Sequence, residues 1–220
     1  MKSNFAILMI DLSRCTALTE VHYGFSTSST VDEFEKIAAL SLIGDSKIIE
    51  KVSDEILISL SIVSSKAIDI ALTALKFQKL SREKSNFSLM HAAMHYGKII
   101  VKEDSLFGSS INKTARILRI AREDEILCSM EFVQMLPKDI KFTVKNRGNV
   151  QFGHLLTGTT VYSLKKTKSD DSIIDPVCKM IIASKDIKLR KIHKGTTYYF
   201  CSTDCMNLFE EETQWHIDYY

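Results

Sequence analysis

The chain has 220 residues, which allows one domain of ordinary size and a small second one. With 45% hydrophobic and 25% charged residues its composition is that of a soluble globular protein, and it holds neither a membrane-length apolar run nor a signal-peptide pattern. The net charge of +2 decides nothing about nucleic acid, and no nucleic-acid or membrane partner is expected. A cytoplasmic location follows, in which the five cysteines stay reduced and serve packing or metal binding rather than disulfides.

Six apolar residues, Phe5 to Ile10, predict a first strand buried on both faces, and it runs straight into Asp11. A carboxylate at a strand exit, followed by a polar turn and a helix start near Thr16, suits a cation or a phosphate, because helix N-termini offer free N–H groups. A polar loop over 21–30 and a helix over about 31–42, capped by Ser29 or Thr30, come next. Residues 47–61 predict a hairpin around a tight Ser53–Asp54 turn. If that hairpin pairs beside the first strand, Asp11 and Asp54 stand side by side, an arrangement that suits a hard divalent cation such as magnesium.

A helix over 64–80 leads to a strand over about 87–95, a turn at Tyr96–Gly97 and a second strand over 98–102. Gly108 then punctuates the chain before a helix capped by Ser109 or Ser110, with Ile111, Ala115 and Leu118 facing inward. Asn112 and Arg116 share one face of it, and an amide beside a guanidinium suits phosphate and developing negative charge. A short strand at 126–128, a helix around 130–136 and strands near 140–146 and 156–164 complete this part. The order strand–helix–strand–strand–helix–strand is a split βαβ arrangement of α+β class. Cys15 and Cys128 read as packing residues.

A charged stretch, KKTKSDDS, then marks a linker, giving domains over 1–165 and 173–220 joined by 166–172. The tail concentrates Cys178, Cys201 and Cys205, and the last two share a helical face. Clustered thiols in a reduced compartment point to zinc or copper. Three thiols are one short of a closed tetrahedral site, which His193, His216, Asp175 or solvent would complete.

DLSRCTALTE resembles the first metal-binding segment of the class III nucleotidyl cyclases, and KVSDEILIS their second metal-bearing hairpin. MHYGKIIV resembles the strand pair after their central helix, LFGSSINKTARI the segment with their transition-state Asn and Arg, and KNRGNVQFGHLLTGTTVYSL their final strands. The resemblance covers about residues 4–165 and implies a ferredoxin-like core. It implies that Asp11 and Asp54 hold two magnesium or manganese ions on a nucleoside triphosphate. It also implies that Asn112 orients the ribose and Arg116 the transferring phosphate, both across a homodimer interface. The product would be a 3′,5′-cyclic nucleotide, with pyrophosphate leaving.

This chain departs from the family at three places. Arg14 and Ser53 replace glycines, and Glu50 stands at the purine-selecting position, where adenylate cyclases carry Lys and a carboxylate reads as guanylate-like. A slip of one residue would put Lys51 there instead, and the partner position, Ser105, chooses nothing clearly. A catalytically silent dimerising or nucleotide-sensing module is the alternative that these changes favour.

The tail resembles the YHS domain, a small treble-clef-like metal-binding module, through Asp175-Pro176-Val177-Cys178, Met180, Gly195, Tyr198-Tyr199-Phe200-Cys201-Ser202, Cys205 and Phe209. Lys179 stands where that family usually has Gly.

Overall fold

The computed structural model describes residues 2–13, 25–52, 55–61, 67–84, 87–102, 105–152, 158–166, 173–182 and 187–215. β1 (Lys2–Leu12) is the central beam of an eight-stranded sheet. α1 (Phe25–Ser41) leads to the hairpin β2 (Lys47–Val52) and β3 (Glu55–Ser61), then α2 (Ala67–Arg82) to β4 (Met90–Lys102). The strands run in the order β2-β3-β1-β4-β6-β8-β7, with β5 (Ser105–Phe107) on the end of β4. The first four are all antiparallel to their neighbours, which is the βαββαβ arrangement that the sequence predicts. β6 (Ile126–Ser129) joins β4 in parallel, and β8 (Thr159–Lys166) and β7 (Phe142–Val150) extend the sheet antiparallel beyond it.

Both faces of β1 are covered, which is why its apolar run does not alternate. Ala6, Leu8, Ile10 and Leu12 pack under α1 and α2, against Phe34, Ile37, Ile70, Ala74 and Phe77. Ile7 and Met9 face the other way, toward Ile117 and Leu118 of α3 (Ser109–Leu118). A very short helix, α4 (Met130–Val133), follows β6, and Ser129 caps it by accepting from Phe132 N–H. The tail holds two small ladders, β9 (Ile173–Ile174) with β10 (Ile181–Ile182) and β11 (Leu189–His193) with β12 (Thr196–Phe200), followed by α5 (Thr203–Trp215).

Three details of the sequence reading change. α1 begins at Phe25, so residues 25–30 are helical rather than loop, and Ser29 and Thr30 lie inside the helix. No turn interrupts β4 at Tyr96–Gly97, and the strand passes straight through. Glycine is needed there for another reason. A Cβ on Gly97 would overlap Ser110 Oγ and lie 2.8 Å from His95 Nε2, so the absent side chain lets the start of α3 settle onto the sheet. Finally, Gly108 precedes α3 with φ 137°, no side chain caps the helix, and Ser110 donates its hydroxyl to Lys98 C=O (2.8 Å).

The tail is bonded to the first domain by backbone. Ser88 and Met180 form a β-bridge, Ile181 N–H donates to Phe87 C=O (2.8 Å), and Leu89 N–H donates to Lys179 C=O (3.2 Å). Among the described residues no helix is long and apolar enough to cross a membrane.

Candidate functional site

Strand register decides which side chains share a face, because a slip of one residue moves every side chain to the other side. Asp11, in step with Ile7 and Met9, lies on the α3 face of the sheet, opposite Glu55 on β3 and His91 on β4. Its side chain keeps 28% of its surface exposed, and His91 Nε2 sits 3.3 Å from its Oδ2. Ser13 Oγ lies 3.2 Å from the other ring nitrogen, Nδ1. Val52 pairs with Glu55, which itself stands opposite Asp11; Asp54 lies outside the described residues.

The same register separates Glu50 from Lys51. Glu50 pairs with Leu57, which belongs to the α3-side core, so Glu50 shares the face of Asp11. Lys51 pairs with Ile56 of the opposite core and forms an ion pair with Glu35 of α1.

α3 stands on this face too. Its first turn sits over Gly97, which pairs with Phe5 at the far end of β1 from Asp11. At 3.3 Å per residue that end lies roughly 20 Å from Asp11. Asn112 is exposed and Arg116 half-exposed, and among the described residues neither is bonded to Asp11. Lys113, between them in sequence, reaches Glu131 Oε1 (2.6 Å) and ties α3 to α4.

Glu131 Oε2 is buried without a hydrogen-bond partner, 3.9 Å from His95 Nδ1. Burial raises the Glu131 pKa, but the Lys113 hydrogen bond and charge, its own backbone N–H and the Ser129 hydroxyl together outweigh it and hold the group below the ordinary value. Burial pushes His95 down to about 4 against the pull of Glu131, so its imidazole is neutral at pH 7. Ser129 Oγ lies 2.8 Å from Nδ1 and accepts from Phe132 N–H.

The tail gathers its own group. Cys178 Sγ lies 3.5 Å from Cys201 Sγ, which lies 3.7 Å from Cys205 Sγ. With Asp175 the ligand atoms fall within 4.8 Å of one another. A tetrahedral Zn–S site with bonds near 2.3 Å has sulfurs about 3.8 Å apart, so the cluster fits such an ion. Asp175 is fully buried and its carboxylate is already engaged: Oδ1 accepts from Val177 and Cys178 N–H, and Oδ2 from Cys201 N–H. It therefore joins the two cysteine-bearing loops. Cys178 is pushed up to about 12; a hydrogen bond from Cys201 favours its thiolate, but the Cys205 thiol, burial and the Asp175 charge outweigh it. Cys201 is raised too, by its hydrogen bonds with Cys178 and Cys205 and by burial. Without a cation Cys178 and Cys201 stay protonated at neutral pH. The thiols are also the tail's core, with Val177, Met180 and Phe200, and Phe209 closes it against Tyr198 and His193.

Residues 173–214 match the YHS domain family. The solved structures that resemble the chain are cyclase domains. An adenylate cyclase from Trypanosoma brucei, solved in its monomeric state, aligns at 15% identity and TM-score 0.68, covering 76% of this chain and 90% of its own. The guanylyl cyclase Cya2 aligns at 16% and 0.65, covering 83% and 98%. An adenylate/guanylate cyclase/hydrolase from Silicibacter pomeroyi aligns at 16% and 0.61, covering 76% and 99%. No curated protein matches the chain in sequence. The first domain has the class III cyclase fold, and the tail is a YHS domain.

Of the residues that the sequence singles out, the cyclase-fold domain brings Asp11 and Glu50 to one face, over which stands α3, the helix that carries Asn112 and Arg116. Arg14 and Thr16 lie outside the described residues, and of Ser105 only the backbone pairing with Lys102 is described. In the YHS tail the three thiols meet, while His193 packs on Phe209 and is not among the clustered ligand atoms. His216 lies outside the described residues. Sequence reasoning missed His91, His95 and Glu131. Single histidines on a strand carry no motif, and only the spacing from Asp11 to a partner strand would have exposed His91. A separate cleft of about 470 Å³, lined by Gln78, Arg82, Asp124 and Arg147 among others, has its acids paired, Asp124 with Arg82 and Glu125 with Arg147.

Proposed function

We propose that the chain is a nucleotidyl cyclase that converts a nucleoside triphosphate to a 3′,5′-cyclic nucleotide and pyrophosphate, with sites shared between two copies and a metal-responsive YHS tail. One observation carries this. Asp11 and Glu50 share the sheet face over which stands α3, the helix that carries Asn112 and Arg116, in a domain of class III cyclase fold. A two-fold pairing of these faces would set the Asn112 and Arg116 of each copy against the Asp11 of the other.

Asp11, exposed on one side, and Asp54 in the adjoining turn would hold two magnesium or manganese ions. Those ions, when bound, lower the pKa of the ribose 3′-hydroxyl and neutralise the triphosphate. Asn112 would orient the ribose, and Arg116 would stabilise charge on the transferring phosphate. Glu50, on the Asp11 face, would accept from the guanine N1–H and amino group, which favours GTP over ATP. Arg14 and the amide groups near Thr16 would cradle the phosphates, with Ser105 lining the base. Cys178, Cys201 and Cys205 would hold Zn²⁺ or Cu⁺.

Incubation with each nucleoside triphosphate and Mn²⁺, followed by product analysis, tests the reading. A cyclic product from GTP ahead of ATP is expected; no cyclic product from any triphosphate overturns it. That second result would favour a catalytically silent dimerising or nucleotide-sensing module, to which the engagement of Asp11 by His91 is the structural pointer.

A further inference from the structure

A continuous set of bonds runs from the thiol cluster to Asp11. It starts at Cys178, whose next residue, Lys179, adopts φ +60°, a left-handed conformation that a side chain disfavours. Three bonds hold Lys179 there. Its N–H donates to Asp175 C=O (3.1 Å), its C=O accepts from Leu89 N–H, and its ammonium pairs with Glu123 of the cyclase-fold domain (3.3 Å). A glycine would fit the backbone but could not make the last contact, so this side chain ties the tail to the first domain.

Residues Phe87 to Leu89 form the next link. They are 3%, 1% and 4% exposed and lie between the tail and the end of β1. On one side they bond to Lys179 and Ile181. On the other, Ser13 N–H donates to Leu89 C=O (2.7 Å), and the Ser88 hydroxyl donates to Ser13 C=O (2.7 Å). Both backbone polar groups of Ser13, itself 2% exposed, are thus held by this segment. The Ser13 hydroxyl meets His91 Nδ1, and His91 Nε2 meets Asp11. With a contact on each nitrogen, the imidazole plane is fixed, and with it the carboxylate. Partners of this kind around a ligating carboxylate set its orientation and affinity.

We propose that His91 and Ser13 position the Asp11 carboxylate, and that the Cys178–Lys179 knuckle positions them, so that a metal ion on the three thiols tightens divalent-cation binding at Asp11. The inference rests on the reading of Asp11 as a cation ligand. The element with two states is the knuckle itself. Without an ion the knuckle is held by packing and by the bonds of Asp175 and Lys179; with the three sulfurs on one ion its loops gain a further tie, and through them so does the strip over Phe87 to Leu89. A second cation then meets a carboxylate already in place and loses less freedom on binding. Linkage makes the effect reciprocal, so a cation at Asp11 tightens the thiol site by the same factor.

The test uses the full reduced chain and Mn²⁺ alone as probe, with free Mn²⁺ followed by electron paramagnetic resonance. One sample carries one equivalent of Zn²⁺, which thiolates prefer over Mn²⁺, and the other is stripped with a chelator that is then removed. The Zn²⁺-loaded chain is expected to bind Mn²⁺ about 5-fold or more tighter, the lower end of typical coupling between sites. Ser88→Ala and Glu123→Gln, which cut the path at separate links, are each expected to shrink that ratio. His91→Ala is expected to weaken Mn²⁺ binding, and His91→Gln, which keeps a donor toward Asp11, to restore it. Slower amide exchange at Ser13 and Leu89 on Zn²⁺ loading is the accompanying structural signature. Equal Mn²⁺ affinity with and without Zn²⁺ overturns the proposal and leaves the two-cation reading of Asp11 standing. Mn²⁺ affinity unchanged by Asp11→Ala overturns that reading, and the proposal falls with it.

Discussion

The two candidate sites are built on opposite plans. In the tail, three sulfurs and one buried carboxylate come from two short loops and the first turn of α5 and meet inside a core of a few residues, so the candidate ligands are also the fold. In the cyclase-fold domain, the groups assigned to chemistry come from β1, β2 and α3 on one sheet face and contribute little to its core. The first plan makes a soft, closed site that exists within one chain. The second, on the proposed reading, is an open, oxygen-rich half-site that another copy would complete. Damage to the first should therefore appear in folding, and damage to the second in activity alone.

The sharpest way to break this contrast is Arg116→Ala. Removing a guanidinium that stabilises phosphoryl-transfer charge costs about 10³-fold or more in turnover. The thermal midpoint should stay near that of the parent, because Arg116 is half-exposed and outside the core. Asp11→Ala should be as inactive, and mixing the two dead variants should restore activity through hybrid sites. Mixed variants that stay inactive would place each site within one chain.

Next in size is Cys201→Ser. It should lose the tail's metal and, by elemental analysis, fall from about one ion per chain toward none. Because the thiols must shed protons to bind, metal content in the parent should fall with acidification, and the unbound tail should melt earlier than the loaded one. Equal metal content in variant and parent would leave the sulfurs as packing groups only.

A smaller effect belongs to His95. Its folded pKa lies near 4, below the ordinary 6.5, so the unfolded chain takes up the proton first as pH falls. The stability contributed by the neutral ring is complete above about pH 6.5 and is lost progressively down to about pH 4, by at most about 3 kcal/mol. Urea midpoints at pH 7 and pH 5 should differ more for the parent than for His95→Gln. An equal difference in both would assign the acid sensitivity to other groups.

Gly97→Ala should cost about 1–3 kcal/mol by forcing Ser110 and the start of α3 away from the sheet. Ser110→Ala in the same chain should recover part of it. If Gly97→Ala is neutral by denaturant midpoint, α3 does not seat on β4 as closely as this packing requires.

The sequence was most legible where residue identity alone carries the structure. The run Phe5 to Ile10, the hairpin over 47–61 and the convergence of Cys178, Cys201 and Cys205 needed only local pattern. It was ambiguous where the answer is a register. Glu50 and Lys51 are neighbours with opposite charges, and only pairing with Leu57 and Ile56 shows which one faces Asp11. It misled where one residue type serves two purposes. Gly97 looks like a turn residue but is a gap for a helix, and Asp175, one of the clustered ligand groups, also accepts from three backbone N–H groups, a role the sequence did not show. His91 and Ser13 left no signal, since their role lies in contacts with strands and loops far away in sequence.

The bridge between Ser88 and Met180 also sets an order of events during synthesis. The strip ahead of β4 leaves the ribosome long before its covering strand does, and at 5–20 residues per second the delay is about 5–20 s. Through that interval Phe87 and Leu89 present an apolar edge with unpaired backbone groups, the kind of surface that recruits chaperones or a second nascent chain. A chain shortened after β8 would keep that edge open permanently. Its solubility and its pairing with other copies would then reflect the missing cover as much as the cyclase-fold domain itself.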